Sequence, residues 1–129
     1  MAGTLTIGTL SDGTNSTSAT NAILGSAKAW VNFNGVSTAT VRASYNVSSV
    51  TRNATGDYTV NFTSALADAN YAVSVTTQTL TSLTTNGNAF GVIYPTTTPK
   101  TTTSARVANL QGNAITLLDA VNVDVAIFR

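Results

Sequence analysis

The sequence predicts an all-β protein: an antiparallel β-sandwich, jelly-roll or Ig-like, of seven to eight short strands behind a short N-terminal arm. Three observations predict it. Apolar residues recur at every second position through most of the 129 residues, the period of a strand with one wet face. Clusters of Gly, Asn, Asp and Pro interrupt these runs at intervals of about 8–12 residues, the turn spacing of a sandwich. The polar side is made of 25 Thr, 12 Ser and 13 Asn rather than charge, and β-branched hydroxyl residues suit the solvated face of a pleated sheet. A chain of this length buries roughly two thirds of its unfolded surface in one core, so one domain is expected.

Residues 1–24 read as the arm. Leu5, Ile7 and Leu10 offer one short strand at most, and the stretch from Ser11 to Asn21 is too small and polar to bury a core of its own. Residues 25–129 read as the sandwich. Ala27, Ala29, Val31 and Phe33 alternate with Lys28, Trp30 and Asn32, and Asn34-Gly35 supplies a turn into Val41, Ala43, Tyr45 and Val47. These two runs form a predicted hairpin. The turn cluster from Asn53 to Asp57 leads into Tyr58, Val60 and Phe62. A crossover follows from Ser64 to Asn70, with helix propensity for a single turn at most, and then Tyr71, Val73 and Val75.

Asn86-Gly87-Asn88 marks another turn. The run from Ala89 to Tyr94 is apolar on both faces until Pro95 stops it, which predicts a strand needing cover on both sides. Residues 96–104 read as a long exposed loop or a frayed edge hairpin. Short strands are predicted over 106–110 and 115–118, split by Gln111-Gly112-Asn113. The last strand alternates through Val121, Val123, Val125 and Ile127.

Composition excludes several classes of chemistry. The chain has no His and no Cys, so it lacks the usual general base, the activated thiol and the common zinc ligands. Its five acids are all Asp, which leaves a two-carboxylate hydrolase as the one open enzyme mechanism. Asp119 and Asp124 would face opposite sides of one strand, and Asp12, Asp57 and Asp68 read as solvated turn acids. No enzyme activity, cofactor or metal is expected. With a net charge of +1 and scattered basic residues, nucleic acid is not an expected partner. No apolar run approaches the roughly 20 residues that span a bilayer, and no secretory signal is read at the N-terminus. The Asn-x-Ser/Thr sequons at Asn15, Asn46, Asn53 and Asn61 are no more than this Ser and Thr content yields by chance.

Trp30 and Phe128 fall on the polar side of their strands' alternation. An aromatic there marks a subunit interface, a sugar-stacking position or cover by a loop, and the interface is the favoured expectation. With the doubly apolar run and the apolar arm, the interface candidates are Leu5, Ile7, Trp30, Phe90, Val92, Tyr94 and Phe128.

The segments Gly25–Gly35, Ala43–Val50 and Thr55–Phe62 resemble a β module of bacteriophage virion proteins, the distal domain of tail fibres and related structural proteins, particularly of marine phages. Ala67–Tyr71 and the strand ending at Phe128 extend the resemblance to residues 23–129, with no recognised match between Thr79 and Leu118. It implies a non-enzymatic, trimeric protein of the virion surface. A short arm before a compact sandwich suits a capsid decoration (cement) protein, so the expected partners are two further copies of the chain and the major capsid protein, and the expected location is the capsid surface. The alternative is a tail-fibre tip or receptor-binding protein that recognises host surface glycans.

Overall fold

Where one face of a strand is buried, alternation fixes which residues turn inward. A computed structural model of the chain describes residues 3–79, 89–111 and 116–129. These contain β1 (Thr9–Ser11), β2 (Ser16–Ser18), α1 (Ala19–Gly25), β3 (Ala27–Asn34), β4 (Thr40–Tyr45), β5 (Val47–Ala54), β6 (Asp57–Phe62), β7 (Ala72–Thr79), β8 (Ala89–Ile93), β9 (Ser104–Gln111), β10 (Thr116–Leu117) and β11 (Ala120–Phe128). Eight of the strands build the sandwich. The others, β1, β2 and β10, are two or three residues long.

The first sheet runs β4-β3-β11-β7 and the second β5-β6-β9-β8, every pair antiparallel. β10 continues the β6 edge of β9, where Asn109 exchanges backbone bonds with Gly56 and Leu118. The arm's β1 and β2 form a separate ribbon.

The core lies between the two sheets, built from the positions that alternation assigns to it. Ala29, Val31 and Phe33 of β3 and Val123, Val125 and Ile127 of β11 face Tyr58 and Val60 of β6 and Val107 of β9, all buried. Phe33 meets Tyr58 across the sheets edge to face, with ring centroids 5.1 Å apart, and Phe62 meets Tyr71 in the same way at 6.0 Å. Such pairs add to the burial of large rings, which is the main stabilising term here.

At one side the sheets meet through β7 and β8. A Cβ on Gly91 would stand 2.3 Å from Cγ1 of Val75, so this approach needs glycine. At the other side, β4 turns into β5 at Asn46, which has the left-handed φ of 53° that Asn tolerates better than most residues. The Asn46 amide donates to the carbonyls of Lys28 and Ser64, and its Oδ1 accepts from the Ser64 N–H.

This corner corrects the predicted hairpin. Tyr45 and Val47 do not share a strand, because Asn46 ends β4 and sends Val47 into the other sheet, giving the unanticipated strand β5. All of β4 is exposed, so the inward alternation expected for Val41, Ala43 and Tyr45 is absent.

Three further expectations change. The only helix among the described residues is α1, in the arm where one short strand at most was expected, while Ser64–Asn70 is an irregular crossover from β6 in the second sheet to β7 in the first, as expected. Ser18 caps α1 by accepting from the Asn21 N–H. The Thr-rich tract is exposed at residues 96–98 and again at Thr102 and Thr103, and its second part closes a short hairpin through the Lys100–Ala105 bridge. Residues 99–104 are bound to the sheet, with Thr102 and Thr103 accepting from Leu66 and Phe62 and the Tyr71 hydroxyl set against the carbonyls of Thr101 and Ser104. Finally, β8 turns Gly91 and Ile93 toward β7 and leaves Phe90, Val92 and Tyr94 on the outer face, with Phe90 exposed, so it is not covered on both sides. The turn at 86–88 and residues 112–115 lie outside the described residues.

Candidate functional site

The Asp side chains show first where chemistry is tied up. Asp12 accepts from the backbone N–H groups of Thr14 and Asn15, as an Asx turn does. Asp68 accepts from the Asn70 N–H and pairs with Arg129; the guanidinium and that N–H hold its carboxyl down at about 2.

Asp57 is not the solvated turn acid expected: it is 2% exposed. It accepts from Arg106 Nε at 2.9 Å and from the Asn53 amide at 3.1 Å. Burial pushes its carboxyl up, and those donors outweigh burial and hold it below the ordinary value. The Arg106 guanidinium in turn lies 4.1 Å from the Tyr94 ring centroid, so Tyr94, an interface candidate, already packs against its own chain.

Asp119 joins the loops at one end of the sandwich. Its carboxylate takes Arg52 in a two-point pair at 3.0 and 2.8 Å and accepts the Gly56 N–H at 2.9 Å. The Tyr58 hydroxyl lies 3.1 Å from Asp119 Oδ1 and 3.2 Å from the Gly35 carbonyl, and accepts from Ala120 N–H at 3.4 Å. Burial raises the Asp119 carboxyl, but Arg52, Gly56 and Tyr58 together lower it further. Burial drives the Tyr58 hydroxyl up to about 12. Four of the five carboxylates therefore serve internal structure. Among the described residues, no buried side-chain nitrogen or oxygen lacks a hydrogen-bond partner. The described interior thus presents no polar group waiting for a ligand, and binding chemistry has to be sought on the outer surfaces.

These ionisations predict a particular pH profile. No His or Glu is present, so the melting temperature is expected to stay flat from pH 5 to 8. Asp57, Asp68 and Asp119 have folded values below their unfolded ones, so their stabilisation is present above about pH 4 and is lost as pH falls through the folded values. Tyr58 and Tyr71 are both raised to about 12 by burial, so their stabilisation is complete below the ordinary value of 10.0 and is lost as pH climbs from there toward 12. Melting curves followed by circular dichroism across this range check it, and a step between pH 5 and 8 contradicts it.

The interface candidates separate into three places. Leu5 and Ile7 are exposed on the arm, Leu5 at 82%, together with Leu10, Ile23 and Leu24, which were not among the candidates. No residue of α1 is buried.

Phe90, Val92 and Tyr94 lie on the outer face of the second sheet, where register sets Phe90 opposite Leu110 and Leu110 opposite Leu117. Phe90, Val92, Leu110 and Leu117 form an apolar patch there. Trp30 and Phe128 lie on the outer face of the first sheet, and Tyr45, which strand pairing sets opposite Trp30, joins them. Sequence alternation assigned Tyr45 to the core. The β3–β4 register, which shifts between Asn32 and Phe33, sets Tyr45 beside outward-facing Trp30 and leaves it 59% exposed.

The Trp30 face also carries polar groups. Asn32 Nδ2 donates to Asn122 Oδ1 at 2.7 Å and to Asp124 Oδ1 at 2.6 Å, and Asn122 Nδ2 donates to Asp124 Oδ2 at 2.6 Å. Arg42 donates to Asn122 Oδ1 at 2.6 Å and to the Val121 carbonyl at 2.7 Å. Among the described residues no helix is long and apolar enough to cross a membrane, and no group of three or more acidic residues is placed to hold a metal ion. Compared with protein-family models, with curated proteins and with solved structures, the chain finds no match, so the functional reading rests on these surfaces and on the resemblance in its sequence.

Proposed function

We propose that this protein is a non-enzymatic structural component of a phage virion, a capsid decoration protein that binds the head surface as a homotrimer and stabilises it. The observation that carries the assembly reading is the arm. Five large aliphatic side chains, Leu5, Ile7, Leu10, Ile23 and Leu24, stand in water on a segment that contributes nothing to the core. Apolar surface of that kind gains free energy only when a neighbour covers it, at roughly 25 cal/mol per Å². The Phe90–Val92–Leu110–Leu117 patch offers a second apolar surface, suited to contact between sibling subunits. The placement on a virion comes from the sequence resemblance, and four carboxylates tied to internal partners favour contact over catalysis.

Stabilisation would work by mass action: a trimer that binds the assembled shell and not its separated subunits adds its binding free energy to the shell's resistance to heat. The test compares heads carrying the full chain with heads carrying a chain that lacks residues 1–24. The full chain is expected on the head surface in many copies, raising the temperature at which heads release DNA. The truncated sandwich should fold and fail to bind. Finding the protein in a few copies confined to the tail tip overturns the reading and leaves the tail-fibre alternative.

A further inference from the structure

We propose that the outer face of the first sheet holds a saccharide subsite in which Trp30 forms the stacking platform and Asn32 and Asp124 bind hydroxyls, taking one neutral pyranose ring of a surface glycan. The inference concerns a surface separate from the arm and does not depend on where in a particle the protein sits.

Strand register builds the site. One row across the sheet reads Tyr45, Trp30, Ala126, Ser74, so two large rings step down to two small side chains. The next row reads Ala43, Asn32, Asp124, Thr76 and is polar at three of its four positions. Over the step lies a groove of about 270 Å³, bounded by Trp30 and Ala126 on the apolar side and by Asn32, Asp124, Ser74 and Thr76 on the polar side. Pockets for drug-sized ligands hold roughly 300–1,000 Å³, so this groove suits a single sugar ring.

The chemistry of the two sides selects the ligand. An indole 41% exposed offers a flat apolar surface to the C–H face of a pyranose. Each Asp124 oxygen accepts one amide hydrogen bond and keeps the capacity for another, which suits the hydroxyl donors of a polyol. A phosphate or sulfate would be repelled by that carboxylate. A wholly apolar protein surface would bury it without a new partner, a cost that the Phe90 patch does not impose. The bonds among Asn32, Asn122, Asp124 and Arg42 hold these side chains in place before a ligand arrives, so little side-chain freedom is lost on binding.

The test is direct because Trp30 is the only tryptophan and lines the groove. The full chain is titrated with maltotriose, chitotriose, lactose and galactobiose, and with heparin and sialyllactose as charged counterparts, while Trp30 emission is followed. At least one neutral sugar is expected to give a saturable shift. Ala126→Phe, which fills the groove from an outward position, is expected to weaken that binding by about tenfold or more while melting temperature and sedimentation stay unchanged. Asp124→Ala should weaken it as well, read by calorimetry. The proposal is overturned if no neutral sugar gives a saturable shift, if only the charged ones do, or if the shift survives Ala126→Phe. It is also overturned if Trp30→Ser dissociates the oligomer, because the face is then a subunit contact. Failure of the sugar titration leaves the arm's role intact, and loss of capsid binding on arm removal leaves the subsite intact.

Discussion

Replacing Asp119 with alanine is expected to lower the stability of the sandwich by about 3 kcal/mol, or roughly 10–15 °C in melting temperature for a chain of this size. The carboxylate ties the segment between β10 and β11 to three points of the β5–β6 hairpin: Arg52 on β5, the Gly56 N–H in the β5–β6 turn and the Tyr58 hydroxyl on β6. Both ion-pair side chains are mostly withdrawn from water, with 25% of Arg52 and 18% of Asp119 exposed. Alanine therefore leaves a half-buried guanidinium uncompensated and the Gly56 N–H without its acceptor, and each loss costs more than a surface pair contributes. Asp119→Asn, which keeps one acceptor oxygen and loses the charge, should fall between the two proteins. Urea titration with both variants measures this, and an unchanged midpoint for Asp119→Ala refutes it.

The second large effect is expected at Gly56, where alanine should cost about 3 kcal/mol although it adds one methyl group. Gly56 has a φ of 66°, in the left-handed region where side chains other than Gly or Asn are strained. A Cβ there would also lie 2.6 Å from the backbone nitrogen and oxygen of Leu118, atoms that cannot swing aside as a flexible side chain does. Gly13, with a φ of 93° and open space around its Cβ direction, is the internal comparison. Gly13→Ala meets the backbone strain alone and should cost clearly less. Equal losses at the two positions would show that the Leu118 contact contributes nothing.

The sandwich was legible wherever one strand face is buried. β3, β6 and β11 alternate cleanly because Val31, Val60 and Val125 face the core while Asn32, Thr59 and Asp124 face outward. β5 escaped notice for the same physical reason: Val47 and Val50 are only partly buried at an edge, so Ser48, Ser49, Thr51 and Arg52 leave no period to detect. The corner at Asn46 was hidden because the apolar alternation runs on through Tyr45 and Val47 although the backbone passes from one sheet to the other between them.

At the candidate site, Trp30 stood out as an aromatic out of phase with its strand. Its partners did not. Asp124 is 92 residues from Asn32, and Arg42 is 80 from Asn122, so only the pairing of β3 with β11 and β4 makes one surface of them. Burial of Asp57 and Asp119 was equally unreadable, since Arg106 and Arg52 lie 49 and 67 residues away.

Placing β11 between β3 and β7 has a consequence for how this chain reaches its native state. The strand synthesised last among those described is an inner strand of its sheet, so β3 and β7 have no direct partner in each other until residues 120–128 are free to insert. Local hairpins such as β5–β6 can form early, but closing the first sheet means joining positions 90 or more residues apart, and topologies of that kind fold in milliseconds to seconds rather than microseconds. During that interval, the apolar edges of β3 and β7 stand open to other chains, and crowded expression should favour aggregation over folding.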